Sequence, residues 1–127
     1  MFCECRDILV RYDKAAVLDV KRLDIPSGKI SAIVGANGAG KTTLLEVMAL
    51  LRRPVRGSIR LWGREGRTGN RELQSKVVMV MHPGYMFRGT VWDNVMYGLK
   101  ARGVTRKEAL NRVEEALKLV GMENFGH

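Results

Sequence analysis

The 127-residue chain is poor in cysteine, histidine, proline and aromatic residues, with two Cys, two His, three Pro, and 6% Phe, Trp and Tyr combined. Cys3 and Cys5 stand one residue apart, too close for an unstrained bridge with each other and too few for a disulfide framework, so reduced thiols are expected. A Cys-x-Cys metal clip would need two more ligands, and His82 and His127 are the only histidines on offer. No apolar run approaches the roughly 18 residues of a membrane span; Val77 to Met81, and Leu44 to Leu51 interrupted by Glu46, are the longest. Met1 to Asp7 has no basic start followed by an apolar stretch, so it does not read as a secretory signal, and the cytosol is the expected compartment. Acidic residues are outnumbered, 13 against 22 Lys and Arg, for a formal net charge of +9. The basic residues are nevertheless dispersed, which suits a solvated or anionic-membrane-facing surface as well as it suits nucleic acid. What the chain has in quantity is apolar side chains, 46% of positions beside 28% charged, so disorder is excluded and one packed domain is the upper bound.

Along the chain the pattern is strands first, helices later. Ile8 to Asp13 and Val17 to Ile25 alternate apolar and polar residues around a short polar turn, predicting an antiparallel pair with one wet face. Pro26-Ser27-Gly28 breaks the pattern, Ile30 to Val34 predicts a short buried strand, and a helix nearly apolar all round is predicted from Lys41 to Leu51. Ser58 to Trp62 reads as a strand between Gly57 and Gly63, and Gly63 to Asn70 as a polar loop. Val77 to Met81 has no polar face, the look of a parallel strand covered on both sides. Thr90 with Asp93 predicts a capped helix bearing Trp92, Val95, Met96 and Leu99 on one face. Thr105 with Glu108 predicts a capping box, Ala109, Leu110, Val113, Leu117 and Val120 a helical stripe, and Gly121 its end. Both stripes read as packing surfaces.

The segment richest in chemistry is Gly35-Ala36-Asn37-Gly38-Ala39-Gly40-Lys41-Thr42, which fills every required position of G-x-x-x-x-G-K-[ST]. Its glycines allow the backbone to turn tightly and approach a polyphosphate, while successive N–H groups and the following helix N-terminus point at the anion. Lys41 brings a mobile charge to the β- and γ-phosphates, Thr42 a hydroxyl to Mg²⁺, and Thr43 can reach the α-phosphate region. The loop sits between a predicted strand and a predicted helix, the setting the motif requires.

Around that loop the chain resembles the ATP-binding cassette family, the nucleotide-binding domains of ABC transporters. Tyr12, 23 residues before Gly35 and followed by Val17 and Leu18, falls where the family's adenine-stacking aromatic lies; a half-buried strand tyrosine is the alternative. The loop through Leu45 is similar to the family's phosphate loop in its internal residues as well. The stretch from Val77 to Leu99, with Phe87, Thr90-Val91, Asp93-Asn94-Val95 and Gly98-Leu99, looks like the segment that receives a membrane subunit's coupling helix, which implies docking roles for Phe87 and Trp92. The resemblance implies an α/β P-loop nucleoside triphosphate hydrolase fold of ABC-ATPase type, with antiparallel N-terminal strands plus an incomplete parallel sheet with helices. One partial domain over 1–127 is expected: adenine-side strands in about 1–29, the loop core in 30–89 and a helical segment in 90–127. Tyr12, Val17 and Gly35 through Thr43 would bind ATP, with Mg²⁺ at Thr42.

Two departures qualify this. The family's loop glutamine would fall at His82, and a neutral imidazole is a poorer ligand for Mg²⁺ than an amide oxygen; His82 either hydrogen-bonds a phosphate-side water or simply occupies a loop. The family's signature, acidic pair and switch histidine have no counterpart within 1–127, so hydrolysis is expected only when that missing half is supplied. The implied partners are transmembrane transporter subunits and a second ATPase subunit in a head-to-tail dimer, at the cytoplasmic face of the membrane, with no specific nucleic acid. A nucleic-acid- or ribosome-associated ATPase, or a truncated nucleotide-binding fragment without activity, are the alternatives.

Overall fold

Only Asp13 and Lys14 separate two long extended segments, so the second folds directly back on the first. The computed structural model describes residues 1–125, and within them β1 (Cys3–Tyr12) pairs antiparallel with β2 (Ala15–Ile25), Cys3 opposite Ile25 and Tyr12 opposite Ala15. On the other side of β1 lie β3 (Arg56–Leu61) and then β4 (Arg64–Gly66), an antiparallel sheet of order β2-β1-β3-β4. The chain divides into two compact units, residues 1–79 and the residues from Val80 onward.

β1 begins earlier than its polar alternation suggests because Cys3 and Cys5 behave as small hydrophobes, both fully buried opposite Leu61 and Ile59. Past Asp7 the strand buries Ile8, Leu9 and Val10, and the two that join the core with Cys3 and Cys5 are Ile8 and Val10, of the opposite parity. A strand of period two changes parity only through an irregularity, and Asp7 supplies it at φ 50°, where the pairing with β3 shifts register. Gly57 lies against this bulge at φ 98°, and a Cβ there would sit 2.5 Å from the carbonyl oxygens of Arg6 and Asp7, so glycine alone fits.

The helix α1 (Lys41–Met48) buries Thr43, Leu44, Val47 and Met48, and its apolar members join Cys3, Cys5, Ile8, Val10, Ile59 and Leu61 in one core. It stops at Met48 and does not continue to Leu51. Leu50 turns left-handed at φ 59°, its N–H donating to Val47 O at 3.0 Å while Leu51 N–H donates to Glu46 O at 2.9 Å. That is a Schellman ending with leucine where glycine is usual. A left-handed L-residue costs about 1–2 kcal/mol, and burying a whole leucine contributes about 1.5–3 kcal/mol; Leu50 is 1% exposed, so burial offsets the strain.

Two expected strands do not form. Ile30 to Val34 and Val77 to Met81 are irregular and join no ladder among the described residues, and Val34 and Val80 are each 90% exposed. Each would be a parallel strand, and parallel strands take their partners from remote crossover segments instead of a hairpin neighbour. Only Ile33 and Val77 reach the edge of the core. The polar stretch expected as loop from Gly63 to Asn70 holds β4, and the one-turn helix α2 (Arg71–Gln74) follows, its N-terminus capped by the Asn70 side chain accepting from Leu73 N–H at 3.2 Å.

In the second unit, α3 (Val91–Ala101) starts as expected: Asp93 N–H donates to Thr90 Oγ1 and Thr90 N–H to Asp93 Oδ2, both at 3.1 Å. α4 (Arg106–Leu119) starts at Thr105 with extended backbone but without a side-chain cap bond, so the expected Thr105–Glu108 box does not close. Gly121, φ 68°, ends α4 with its N–H on Lys118 O and that of Met122 on Leu117 O. Met96 meets Ala109, Val113 and Leu117 in a small core flanked by Trp92, Val95 and Leu99, whereas Leu110 and Val120 face solvent.

Candidate functional site

The loop from Gly35 to Gly40 takes its shape from two residues that L side chains would strain. Gly38 and Gly40 adopt φ 81° and 82°, and a Cβ on Gly40 would lie 2.6 Å from Val17 O. This close approach ties the loop to β2 and gives Val17 a structural part in the site. Gly40 is also the N-cap of α1 and offers no side-chain oxygen, so the first helical N–H groups, from Lys41 to Thr43, are left without a side-chain cap. No acidic residue occupies the first turn of α1. The arrangement is an anion receptor made of backbone, and the helix dipole adds to it.

Lys41 folds back over the loop, its Nζ donating to Gly35 O at 2.9 Å and Ala36 O at 2.7 Å. The ammonium is thereby held above the start of the loop, Ala39 N–H closes a turn on Ala36 O at 3.2 Å, and Asn37 stays exposed at the tip. Thr42 is exposed, its hydroxyl available to a cation; Mg²⁺ takes one or two protein oxygens together with substrate phosphates and water, which one hydroxyl beside a phosphate cradle satisfies. Thr43 is buried, and its Oγ1 lies 3.5 Å from the Tyr12 hydroxyl.

That contact brings Tyr12, at the end of β1, beside the helix that starts the loop's cradle. Tyr12 is 43% exposed. One face of its ring carries the Arg52 guanidinium, 4.7 Å from the centroid, and Arg52 Nε is bound to Glu46 Oε2 at 2.5 Å. Glu46, by hydrogen bond and then charge, pushes the Arg52 pKa still higher. Arg52 carries no motif; only the left-handed turn at Leu50 brings it back over Tyr12, which is why the sequence gives no sign of it.

A cavity of about 360 Å³ opens beside the loop, lined by Val17, Leu18, Val34, Ala39, Gly40 and Lys41 among others. A larger one of about 460 Å³ includes Arg52, Arg53, Arg56, Glu65, Gly66 and Arg67, and there Glu65 and Glu46 already engage Arg67 and Arg52. The smaller cavity is the one that borders the glycine loop and the start of α1.

The remaining expected residues belong to the second unit. His82 is exposed. Phe87, 55% exposed, is held by the Asn94 side chain, which accepts from Phe87 N–H at 2.7 Å and donates to Phe87 O at 3.0 Å, and its ring lies 4.3 Å from that of Tyr97. Trp92 is half-buried against the α3–α4 core, so of the two expected docking aromatics Phe87 presents the more open surface. Cys3 and Cys5 sit in the core with sulfurs 3.8 Å apart; their shared hydrogen bond, with burial, raises the Cys3 thiol pKa. Among the described residues no group of three or more His, Cys, Asp or Glu is placed to hold a metal ion, and no helix is long and apolar enough to cross a membrane.

A glycine-built loop at a helix start, with a lysine over it and a threonine hydroxyl at its rim, is the arrangement that the G-x-x-x-x-G-K-[ST] motif requires. Residues 18–127 match the family model described as ABC transporter, and the chain belongs to that family. It is 35% identical over 126 residues to the Fe(3+) ions import ATP-binding protein FbpC of Escherichia coli O157:H7, covering 98% of this chain and 36% of that one. It is 35% identical over 114 residues to the tungstate uptake system ATP-binding protein TupC of Peptoclostridium acidaminophilum, covering 90% of this chain and 51% of the relative. The chain thus spans about a third to a half of the length of these relatives. The fold is that of cbiO1 from Clostridium perfringens, part of the ABC transporter complex cbiONQ, at TM-score 0.80 and 23% identity over 98% of this chain and 52% of that chain.

Proposed function

We propose that the Gly35–Thr43 loop binds Mg·ATP, as the nucleotide-binding part of the energy-coupling ATPase subunit of an ABC membrane transporter. The observation that carries this reading is the cradle itself: left-handed Gly38 and Gly40, uncapped N–H groups at the start of α1, and Lys41 poised over them. Tyr12 offers its ring to the base, Lys41 and the loop N–H groups hold the phosphates, and Thr42 would hold Mg²⁺ through its hydroxyl. When bound, Mg²⁺ neutralises charge on the phosphates. His82 is assigned no metal role, since its ring is a poorer ligand for Mg²⁺ than an oxygen donor.

The relatives named for iron and tungstate uptake support transport as the process this subunit powers, and import as its direction. The two relatives are named for different cargoes, iron and tungstate, so no particular substrate is assigned to this chain. Turnover draws on a water-activating acid pair and on the signature of a second, head-to-tail subunit, which the resemblance places outside the matched residues. The subunit works at the cytoplasmic membrane face, where the surface around Phe87 receives a transmembrane partner.

Isothermal titration of Mg·ATP into the chain and into Lys41→Ala tests the reading. The substitution is expected to remove most of the affinity, a loss of tenfold or more, about 1.4 kcal/mol. Unchanged binding in Lys41→Ala would defeat the cradle assignment.

A further inference from the structure

We propose that Arg52 is a positioning residue for the nucleotide base, acting through Tyr12; the proposal rests on the nucleotide reading above. Three contacts join one side chain to the next. Glu46 Oε2 holds Arg52 Nε at 2.5 Å, the Arg52 guanidinium lies 4.7 Å from the Tyr12 ring centroid, and the Tyr12 hydroxyl is 3.5 Å from Thr43 Oγ1. Glu46 and Thr43 both belong to α1, the helix whose start cradles the phosphates. Tyr12 is therefore fixed at its hydroxyl and on one face by groups that move with the phosphate site.

This arrangement does what a free surface tyrosine cannot. A ring that turns about its side-chain torsions must be ordered each time a base stacks on it, and that ordering subtracts from affinity. With one face occupied by a guanidinium, the ring has a single face left for a purine, already at a set distance from the helix start. Arginine suits the task because its planar group stacks on an aromatic face while its N–H groups bond a carboxylate. The pair with Glu46 is itself half-buried, 34% and 18% side-chain exposure, which keeps it from swinging into solvent as an open surface pair would. The backbone supports the same geometry: Arg52 N–H donates to Glu46 O at 3.2 Å within the turn that Leu50 creates.

The effect should fall on the base and not on the phosphates, which gives the experiment its contrast. Binding of Mg·ATP and of magnesium with inorganic triphosphate is measured on the unaltered chain, Arg52→Ala, Arg52→Lys, Tyr12→Ala and the Tyr12→Ala/Arg52→Ala double variant. Arg52→Ala is expected to weaken ATP binding by about three- to tenfold while leaving triphosphate affinity unchanged, and Arg52→Lys to recover part of the loss. In the Tyr12→Ala background, removing Arg52 should add nothing. Equal weakening of ATP and triphosphate in both Arg52 variants, no change in either, or full additivity with Tyr12→Ala would overturn the positioning role. If the unaltered chain binds neither compound, or if Lys41→Ala leaves ATP affinity intact, the nucleotide reading fails and the proposal falls with it.

Discussion

The four-stranded sheet and the two apolar runs Ile30 to Val34 and Val77 to Met81 are made of much the same residues, yet one is a core and the others lie largely open. Ile8, Val10, Ile59 and Leu61 are buried because β1 finds β2 across a two-residue turn and β3 on its other edge. Val34 and Val80 are exposed because no strand among the described residues pairs with either run. Apolar character asks for a partner, and antiparallel topology supplies one locally while parallel topology does not. The phosphate loop lies at the junction of the two regimes. It follows an unpaired run, but its own shape comes from Gly38, Gly40 and the contact with Val17, all set on the ordered side.

The sharpest test of that difference is to cut the same kind of side chain in both places. Leu61→Ala should destabilise the first unit by about 2–5 kcal/mol, read from the midpoint of urea unfolding. A loss near zero there would mean that the sheet core is not the stabilising element. A smaller effect is expected at the start of α3, where Thr90→Ala removes the cap and should cost about 1 kcal/mol. This cap also makes an acid-sensitive contribution. Hydrogen bonds from the Thr90 N–H and hydroxyl lower the Asp93 pKa below its ordinary 3.8, so the stability it adds is present above pH 3.8 and is lost as pH falls through the lower folded value. Helical circular dichroism followed from pH 6 to pH 2, on the order of the carboxylate range, should fall more steeply in the parent than in Thr90→Ala. The smallest effect belongs to Val80→Ala, expected within about 0.5 kcal/mol of the parent. A cost comparable to Leu61→Ala would show that the run is covered and would erase the contrast.

The features that were legible in the sequence are those with local causes. The cradle was visible because glycine, lysine and threonine at fixed spacing are demanded by the backbone conformation and the anion, and the Thr90–Asp93 cap because both partners lie within one turn. The β1–β2 pair was visible through its alternation, and Tyr12 through the resemblance that placed it ahead of the loop. The features that were not legible depend on distant or unusual geometry. The bulge at Asp7 needs Gly57 opposite it, fifty positions on. The early end of α1 needs a leucine to accept a left-handed backbone for the sake of burial, against its propensity, and the placement of Arg52 follows from that turn. β4 is too short for a period to show. Thr105 and Glu108 have the spacing of a capping box, but the Thr105 side chain makes no cap bond.

The most direct test of the central claim is to map Mg·ATP onto the backbone amides of the chain by two-dimensional nuclear magnetic resonance. The cradle predicts that the amides of Gly38, Gly40, Lys41, Thr42 and Thr43 shift first and furthest, with Tyr12 following and β3 and β4 unmoved. Shifts centred instead on Arg53, Arg56 and Arg67, or no shifts in the loop at saturating nucleotide, would contradict it.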